Sequence, residues 1–394
     1  MLKFLHLTFA PGLTTLVESE LIDSGIIADR KEILDPHRGG LKLAYRPETL
    51  VKVWTRSRLC TSALIDLGTI YVESLADVYE ASKALELEKL FGAMPTFRID
   101  TSGEMPDKVK FSQAPLKMKD AICDRQREKF GFRPSVDREN PTLRLVAHFQ
   151  GPKVHVSVDL FNEPLHKRGY RIHIGAAPIK ENKAAALLKF AGYTGAEPLV
   201  DPFCGSGTIA LEALMIQRGL YPGLLKEFPR EEILTKLDAR LPALLREELA
   251  WCEAHFRETS DKGNFASILA SDADGGILRK AEKNLQRLGR GLEREISFTR
   301  ADVLDLDYKD SLWVCNPPYG ERLEGEGPDG EIEELLRDWG YRLKHTCAPA
   351  RIALIYPKSS ELNKLGFKPS RKQQAPSGPI DTWFWYYDVY GKKS

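Results

Sequence analysis

Apolar and polar positions follow one pattern before residue 165 and a different one after residue 199. In the first part, short alternating runs such as 143–149 and 154–160 predict half-buried strands, and stretches such as 75–91 and 118–130 have helical spacing. Strands and helices follow one another without a repeating unit, which is typical of an α+β fold. We therefore predict an α+β N-terminal region made of two small units, residues 1–60 and 61–165.

From residue 199 the chain repeats a short apolar strand followed by an amphipathic helix. This alternation predicts a parallel sheet with helices on both faces, which is an α/β architecture. We assign residues 166–192 to a linker and a helix that starts at Ala177-Pro178, and residues 193–394 to this second domain. Residues 220–262 form an insertion, in which we predict a helix over 231–256. The predicted strands share an apolar run that stops abruptly, and they cover 199–201, 267–270, 296–299, 312–315, 351–356 and 382–389.

Polar or flexible residues stand where the first three of these strands end. Asp201 ends the first strand, Asp272 follows the second and Asp302 follows the third, while Gly205 and Gly207 form a tight turn after Asp201. In an open parallel sheet, ligands bind beyond the carboxyl ends of the strands at the topological switch point. A carboxylate there can accept ribose hydroxyls or an adenine amine, and the glycines let backbone approach a ligand closely.

The fourth strand runs into the tetrapeptide Asn316-Pro317-Pro318-Tyr319. The prolines fix φ and remove two donors, so the Pro317 carbonyl points beyond the strand. The Asn316 oxygen and this carbonyl can each accept an N–H, and Tyr319 can stack on a ring. The combination suits a flat base that carries an exocyclic amine. It is similar to the motif of amino-methyltransferases that use S-adenosylmethionine (SAM), and a strand-end turn without chemistry is the alternative.

Two other interpretations compete for the same residues. The segment 205–210 fits the G-x-G-x-x-G/A fingerprint of dinucleotide-binding folds. That fold also needs an acidic residue about 20 positions later at a strand end, and Glu227 instead lies in the insertion. Cys204 and Cys315 raise ring-carbon methylation through a thiolate adduct, which needs an activated cysteine. Because Cys315 lies on an apolar strand, a core cysteine is the favoured interpretation.

Composition adds limits and one local signal. The formal net charge of +1 gives no overall nucleic-acid signal, but Lys108 to Arg133 holds eight Lys or Arg against three Asp or Glu, a local net of +5. That region suits RNA phosphates, or is a solvated helix face. Six cysteines without a C-x-x-C pair argue against a zinc site and fit a reducing cytoplasm. We expect no apolar segment to span a bilayer.

Five segments in order resemble the THUMP-domain RNA guanine-N2 methyltransferases, closest to the RlmL-like 23S ribosomal RNA type. The segments are Leu165–Arg171, Ala177–Asn182, Asp201–Thr208, Tyr221–Gly223 and Asn316–Leu323. The resemblance implies a ferredoxin-like unit at 1–60, a THUMP domain at 61–165 and a Rossmann-like class I methyltransferase domain at 193–394. It departs at Phe161-Asn162, where a serine-glycine pair is expected.

The resemblance also implies a function. The expected reaction is SAM-dependent methylation of the exocyclic N2 amine of a guanine in 23S ribosomal RNA, by a monomer in the cytoplasm without a metal. Transfer RNA guanine-N2 methylation and DNA adenine-N6 methylation are the alternatives, and RNA is expected to contact the region from Lys108 to Arg133. The implied site residues are Asp201, Gly205, Gly207 and Glu181 at the methionine part of the cofactor, Asp272 at its ribose, Asp302 at its adenine, Asn316 beside cofactor and base, and Pro317, Pro318 and Tyr319 at the base.

Overall fold

The computed structural model describes residues 2–173, 178–319, 330–359, 361–378 and 380–390. Within these ranges the chain forms two sheets, the first in the order β2-β3-β1-β4-β8-β7-β5-β6. Its strands are β1 (Phe4–Phe9), β2 (Ile33–His37), β3 (Gly40–Ala44), β4 (Cys60–Tyr71), β5 (Thr96–Glu104), β6 (Ser135–Val136), β7 (Leu143–Gln150) and β8 (Lys153–Asp159). The helices that accompany it are α1 (Thr14–Asp23), α2 (Pro47–Arg56), α3 (Leu75–Lys83), α4 (Glu88–Phe91) and α5 (Ala114–Phe130).

Alternation along the strands decides which face of the first sheet is buried. Leu5 and Leu7 of β1 are fully buried, whereas His6 between them lies on the opposite face. The unpredicted strand β4 pairs with β1 on one side and β8 on the other. The sheet therefore runs on across residues 60 and 61, and the division there stays a prediction.

The second sheet has the order β11-β10-β9-β12-β13-β15-β14 and is parallel up to β13, while β14 and β15 run antiparallel. Its strands are β9 (Leu199–Asp201), β10 (Ile268–Asp272), β11 (Ile296–Arg300), β12 (Ser311–Cys315), β13 (Ala350–Pro357), β14 (Arg371–Gln374) and β15 (Thr382–Val389). Its helices are α6 (Glu181–Ala191), α7 (Thr208–Gln217), α8 (Glu231–Leu237), α9 (Leu241–Ser260), α10 (Gly275–Leu288) and α11 (Glu331–Arg342). The predicted α/β Rossmann-like arrangement is thereby confirmed.

Three predicted helices have different bounds in the structure. The stretch 75–91 is split between α3 and α4, and Glu86 in the break has a φ of +46°. The stretch 231–256 is split into α8 and α9. The helix predicted to start at Ala177-Pro178 begins at Glu181 instead, because Lys180 is extended with φ −72° and ψ 149°. Ala177 itself, and residues 320–323 of the last motif segment, lie outside the described residues.

A buried charged cluster joins the two halves of the chain. Arg168 and Glu212 of α7 are both fully buried, with 3.3 Å from Nε to Oε1. The Arg168 guanidinium also donates to the carbonyls of Leu165 (2.7 Å) and Arg58 (2.6 Å), and the Tyr170 hydroxyl donates to Glu212 (3.0 Å). Part of the basic motif 165–171 therefore anchors the second domain to the N-terminal half and does not face solvent.

The insertion 220–262 packs against the N-terminal half. Arg56 at the end of α2 makes a two-fold ion pair with Glu248 of α9, with N–O distances of 2.5 and 2.9 Å. The same guanidinium lies 3.7 Å from the centre of the Trp251 ring. Both charged side chains are 8% exposed, so the insertion is fixed to α2 by a desolvated contact. In the described ranges, no helix is both long and apolar enough to cross a membrane.

Candidate active site at the carboxyl edge of the second sheet

The predicted site residues of three neighbouring strands meet at one edge of the second sheet. Ala270 pairs with Asp201, so Asp272 lies two residues beyond the level of Asp201. Because β12 is parallel to β9 with Trp313 opposite Val200, Asn316 lies about equally far beyond on the other side. With strands about 4.8 Å apart, the backbones of Asp272 and Asn316 are separated by about 10 Å across β9.

The strand order reverses between β9 and β12. From β9 the chain goes outward through β10 and β11, and from β12 it goes the other way to β13. This is the topological switch point of the sheet, where an open α/β fold has its ligand crevice. The glycine turn after β9 and the tetrapeptide after β12 therefore flank the same crevice.

The turn from Cys204 to Gly207, called the glycine loop below, depends on left-handed backbone. Gly205 and Gly207 have φ values of +53° and +83°, which side chains disfavour. A Cβ on Gly207 would lie 3.1 Å from the Cβ of Ala281, whereas one on Gly205 would meet nothing within 4 Å. Gly207 thus allows the loop to pack on α10, and Gly205 borders open space.

Asp201 is a buried acid beside this loop. It is fully buried, and neither carboxylate oxygen has a hydrogen-bond partner in the described parts of the chain. Burial raises the pKa of Asp201 well above its usual range, and the negative charge of Asp272 adds to the effect, although electrostatic attraction to the nearby Phe203 N–H dipole opposes it. An unpaired buried carboxylate next to an open glycine turn fits a ligand that brings donors or positive charge.

Asp272 and Asp302 have structural tasks: each accepts hydrogen bonds from nearby backbone N–H groups. Asp272 accepts the N–H of Gly205 at 3.0 Å through one oxygen and that of Asp274 at 3.0 Å through the other. Asp302 accepts the N–H of Leu304 at 2.9 Å and is exposed. Asp274 accepts the N–H of Gly276 at 2.7 Å, so it caps α10. Each carboxylate keeps acceptor capacity for a ligand hydroxyl or amine.

Glu181 lies in a different local setting. It is the first residue of α6, is 6% exposed, and accepts a hydrogen bond from Arg171 at 3.2 Å. The same Arg171 nitrogen donates to the Ile179 carbonyl at 2.9 Å. Burial raises the pKa of Glu181, and the charge of Arg171 opposes this. The structure thus gives Glu181 an ion pair with Arg171, and its predicted place beside the cofactor stays a prediction.

The tetrapeptide after β12 is partly enclosed. Asn316 and Pro318 are half-buried and Pro317 is buried. The Tyr319 side chain is 2% exposed and packs edge-on against Tyr356, with 5.5 Å between ring centres. In this conformation the Tyr319 ring has no open face, so its stacking on a base remains a prediction that requires neighbouring groups to move.

The two cysteines near the site are poor nucleophiles in this environment. Burial raises the pKa of Cys315 and of Cys204, and the charge of Asp201 raises both further. Both thiols are therefore disfavoured as thiolates, as expected for core cysteines. No three His, Cys, Asp or Glu side chains gather into a group suited to a metal ion within the described residues.

The sequence analysis missed Asn284 of α10. This residue is fully buried on the apolar side of the helix, among Ala281, Leu285 and Leu288. An amide within an otherwise apolar helical stripe was the available signal, because such a group must find hydrogen-bond partners inside the protein.

Comparisons with known proteins agree with this architecture. The family model of the RMKL-like methyltransferase domain matches residues 168–382, and that of the THUMP domain matches 72–159. The chain is 32% identical over 395 residues to "Ribosomal RNA large subunit methyltransferase K/L" of Psychromonas ingrahamii, covering 98% of this chain and 50% of the relative. The chain thus spans about half the length of this curated relative.

Two solved structures share the fold over nearly their whole length. SMU.472, described as a methyltransferase complexed with S-adenosylhomocysteine (SAH), is 23% identical to this chain with a TM-score of 0.83. The match covers 100% of this chain and 99% of SMU.472. A predicted N6-adenine-specific DNA methylase of Listeria monocytogenes is 24% identical with a TM-score of 0.80, covering 98% and 96%. At these identities the likeness establishes the fold. Because the family model spans more than half of the residues and includes the glycine loop and the tetrapeptide, the chain belongs to the RMKL-like methyltransferase domain family and carries a THUMP domain before it.

Proposed function

We propose that the chain is a SAM-dependent methyltransferase that modifies the exocyclic N2 amine of a guanine in large-subunit ribosomal RNA. The observation that carries the proposal is the meeting of the glycine loop and the Asn316 tetrapeptide on adjacent strands at the switch point. The first element suits a nucleoside cofactor and the second an amine-bearing base. The curated relative named as a ribosomal RNA methyltransferase supports the choice of RNA.

The residues at the edge fit SAM. The buried, unpartnered Asp201 and the open side of Gly205 would hold the methionine part, with Gly207 shaping the turn. Asp272 would accept ribose hydroxyls, and Asp302 would accept the adenine amine. When bound, SAM supplies an electrophilic methyl group on a sulfonium.

The tetrapeptide would orient the target amine. The Asn316 oxygen and the Pro317 carbonyl accept its two N–H groups, so the nitrogen lone pair is aimed across the crevice. No strong base is needed before attack, because the proton leaves after the nitrogen has become positive. Bringing the guanine out of its stack costs a few kcal/mol, and precise positioning supplies much of the acceleration.

We propose that RNA binds along α5 and the loop before it. Arg125 in this region is engaged with Glu88 at 2.5 Å and is structural. Lys108, Lys110 and Lys117 are exposed and have no ion-pair partner among the described side chains. These cations are therefore available for phosphates, as an RNA-facing surface requires.

A groove beside α5 supports the same proposal. It has a volume of about 560 Å³ and is bordered by the cations Arg98, Lys119 and Arg138, of which Arg98 pairs with Asp100 and Lys119 with Asp120, each at 2.7 Å. Leu116 and Val136 in its wall are 56% and 47% exposed, so the groove also offers apolar surface. Cations next to exposed apolar groups suit a nucleic-acid chain with its phosphates and bases. We also propose that the chain methylates its RNA in the cytoplasm and acts as a monomer.

The proposal is tested by giving the purified chain labelled SAM with ribosomal RNA, transfer RNA or DNA, followed by nucleoside mass spectrometry. N2-methylguanosine in 23S RNA is the expected product. N2-methylguanosine only in transfer RNA, or N6-methyladenine in DNA, would instead establish one of the two alternatives.

Two adjacent substitutions test the site itself. Asn316→Ala should lower turnover at least about a hundredfold while cofactor binding persists, because the amine is no longer aimed. Cys315→Ser is the matched control one residue earlier and should keep most of the activity. Near-normal turnover in Asn316→Ala would show that the base pocket is elsewhere.

A further inference from the structure

The buried amide of Asn284 connects two segments that the chain places far from α10 in sequence. Its Oδ1 accepts the backbone N–H groups of Ile172 (3.2 Å) and His173 (3.1 Å). Its Nδ2 donates to the carbonyls of His173 (3.0 Å) and Ser206 (3.0 Å). Both lone-pair sites and both N–H groups are used, so the hydrogen-bonding capacity of this amide is complete.

One partner of Asn284 belongs to the glycine loop. Ser206 lies between Gly205 and Gly207, and its carbonyl accepts a hydrogen bond from Asn284 of α10. One turn earlier on the same helix face, Ala281 lies under Gly207, where a Cβ would come within 3.1 Å of its methyl group. Ala281 and Asn284 thus form the surface of α10 on which the loop rests.

The other partners belong to residues 171–173, here called the strap. Arg171 ties the start of the strap to residues 179 and 181 through its bonds to the Ile179 carbonyl and Glu181. Asn284 ties the next two residues to the glycine loop. The strap is therefore held at two points, one on α6 and one on α10.

We infer that Asn284 is a positioning residue, which sets the strap against the glycine loop and thereby shapes the methionine side of the cofactor site. This inference rests on the proposed SAM site. Asn284 does not contact the crevice directly, because it is fully buried and all its polar atoms are used by backbone groups. Its effect on the cofactor therefore passes through the strap and the loop.

Asn284→Asp tests the inference with almost no change in size. The aspartate lacks both N–H donors and brings an oxygen against the carbonyls of His173 and Ser206, so the strap should separate from the loop. Asn182→Asp is the matched control. Asn182 is also a buried amide, 4% exposed, but it donates to Leu59 and Thr61 of the N-terminal half at 3.4 and 3.3 Å.

Two measurements on the full chain separate positioning from general destabilisation. Calorimetry with S-adenosylhomocysteine (SAH) should show a dissociation constant raised about tenfold or more in Asn284→Asp and changed less than about twofold in Asn182→Asp. Hydrogen exchange should show faster exchange at the Ile172 and His173 amides in the first variant only. Asn284→Ser, which is smaller and uncharged, repeats both measurements should the aspartate variant not fold.

The outcomes distinguish this inference from the proposed function. Wild-type protein that binds no SAH would overturn the proposed cofactor. Wild-type protein that binds SAH, together with Asn284 variants whose amides exchange faster but whose affinity stays within about threefold, would overturn the positioning role alone. An equal loss of SAH affinity in Asn182→Asp would also overturn it, because the effect would then follow stability and not the strap.

Discussion

Removing the charge of Glu212 tests the buried cluster that joins the two halves of the chain. Glu212→Gln keeps the size of the side chain and its oxygen for the Tyr170 hydroxyl, but leaves the fully buried Arg168 cation without a counter-charge. In this variant the Arg168 guanidinium still donates hydrogen bonds to the carbonyls of Leu165 and Arg58. Breaking a buried ion pair by removing one partner costs roughly 3–5 kcal/mol.

The contacts place this variant at the lower end of that range. The ion pair is a single contact of 3.3 Å, and Oε2 of Glu212 has no hydrogen-bond partner in the described residues. We therefore expect a loss of about 3 kcal/mol in the free energy of unfolding. This is a large fraction of the roughly 5–15 kcal/mol by which folded proteins are stable.

Urea unfolding of single and double variants measures this loss. Arg168→Met removes the other charge, and in the double variant neither charge of the pair remains, so the combined loss should be about 2 kcal/mol smaller than the sum of the single losses. Glu163→Gln, whose ion-pair partner Lys167 belongs to the same motif, is the control. Its exposed pair with Lys167, at 3.4 Å, should contribute less than about 1 kcal/mol. A Glu212→Gln loss no larger than that of Glu163→Gln would refute the reasoning.

Three further predictions concern charge. Because burial raises the pKa of Asp201 above its ordinary 3.8, the folded protein holds a proton that the unfolded chain releases, and stability falls as pH rises. Asp201→Asn should therefore unfold at higher urea than wild type at pH 8 while losing SAH affinity; a lower midpoint would contradict this. Burial, with the charges of His37 and Lys42, lowers the pKa of His6 from 6.5 to about 4. The free energy of unfolding should therefore fall by about 2–3 kcal/mol as the pH falls from 6.5 to 4. His6→Gln should lack this pH-dependent loss, and equal pH profiles of the variant and the wild type would contradict the prediction. Lys117→Glu should raise the KM for RNA and flatten its salt dependence without changing SAH affinity; an unchanged KM would place the RNA elsewhere.

The second sheet could be predicted well because its strands are short apolar runs with clear stops. The strand predicted at 382–389 has those bounds in the structure. Strand β14 was missed because Arg371–Gln374 is polar throughout, as an edge strand with exposed residues can be. Strand β4 was missed because Gly68, with a φ of +122°, and the register shift beside it interrupt its alternation.

Local pattern could not show which charged residues become buried. Arg168 and Lys167 are neighbours in one basic motif, yet the first is fully buried and the second is exposed. The difference arises from Glu212, which is 44 residues away and reaches Arg168 only after α7 packs on the linker. The departure at Asn162 has a local explanation. Its φ of +61° is a conformation in which glycine is favoured and asparagine is tolerated.

The central position of β4 limits how this protein can be divided by genetic engineering. Since β4 pairs with β1 on one edge and with β8 on the other, a cut at residue 60 would separate it from β1 and leave one unpaired strand edge on each fragment, open to intermolecular pairing. Separate expression of the two predicted N-terminal units should therefore give insoluble material. A module meant for grafting onto another enzyme would have to carry every strand from β1 to β8 as a single cassette.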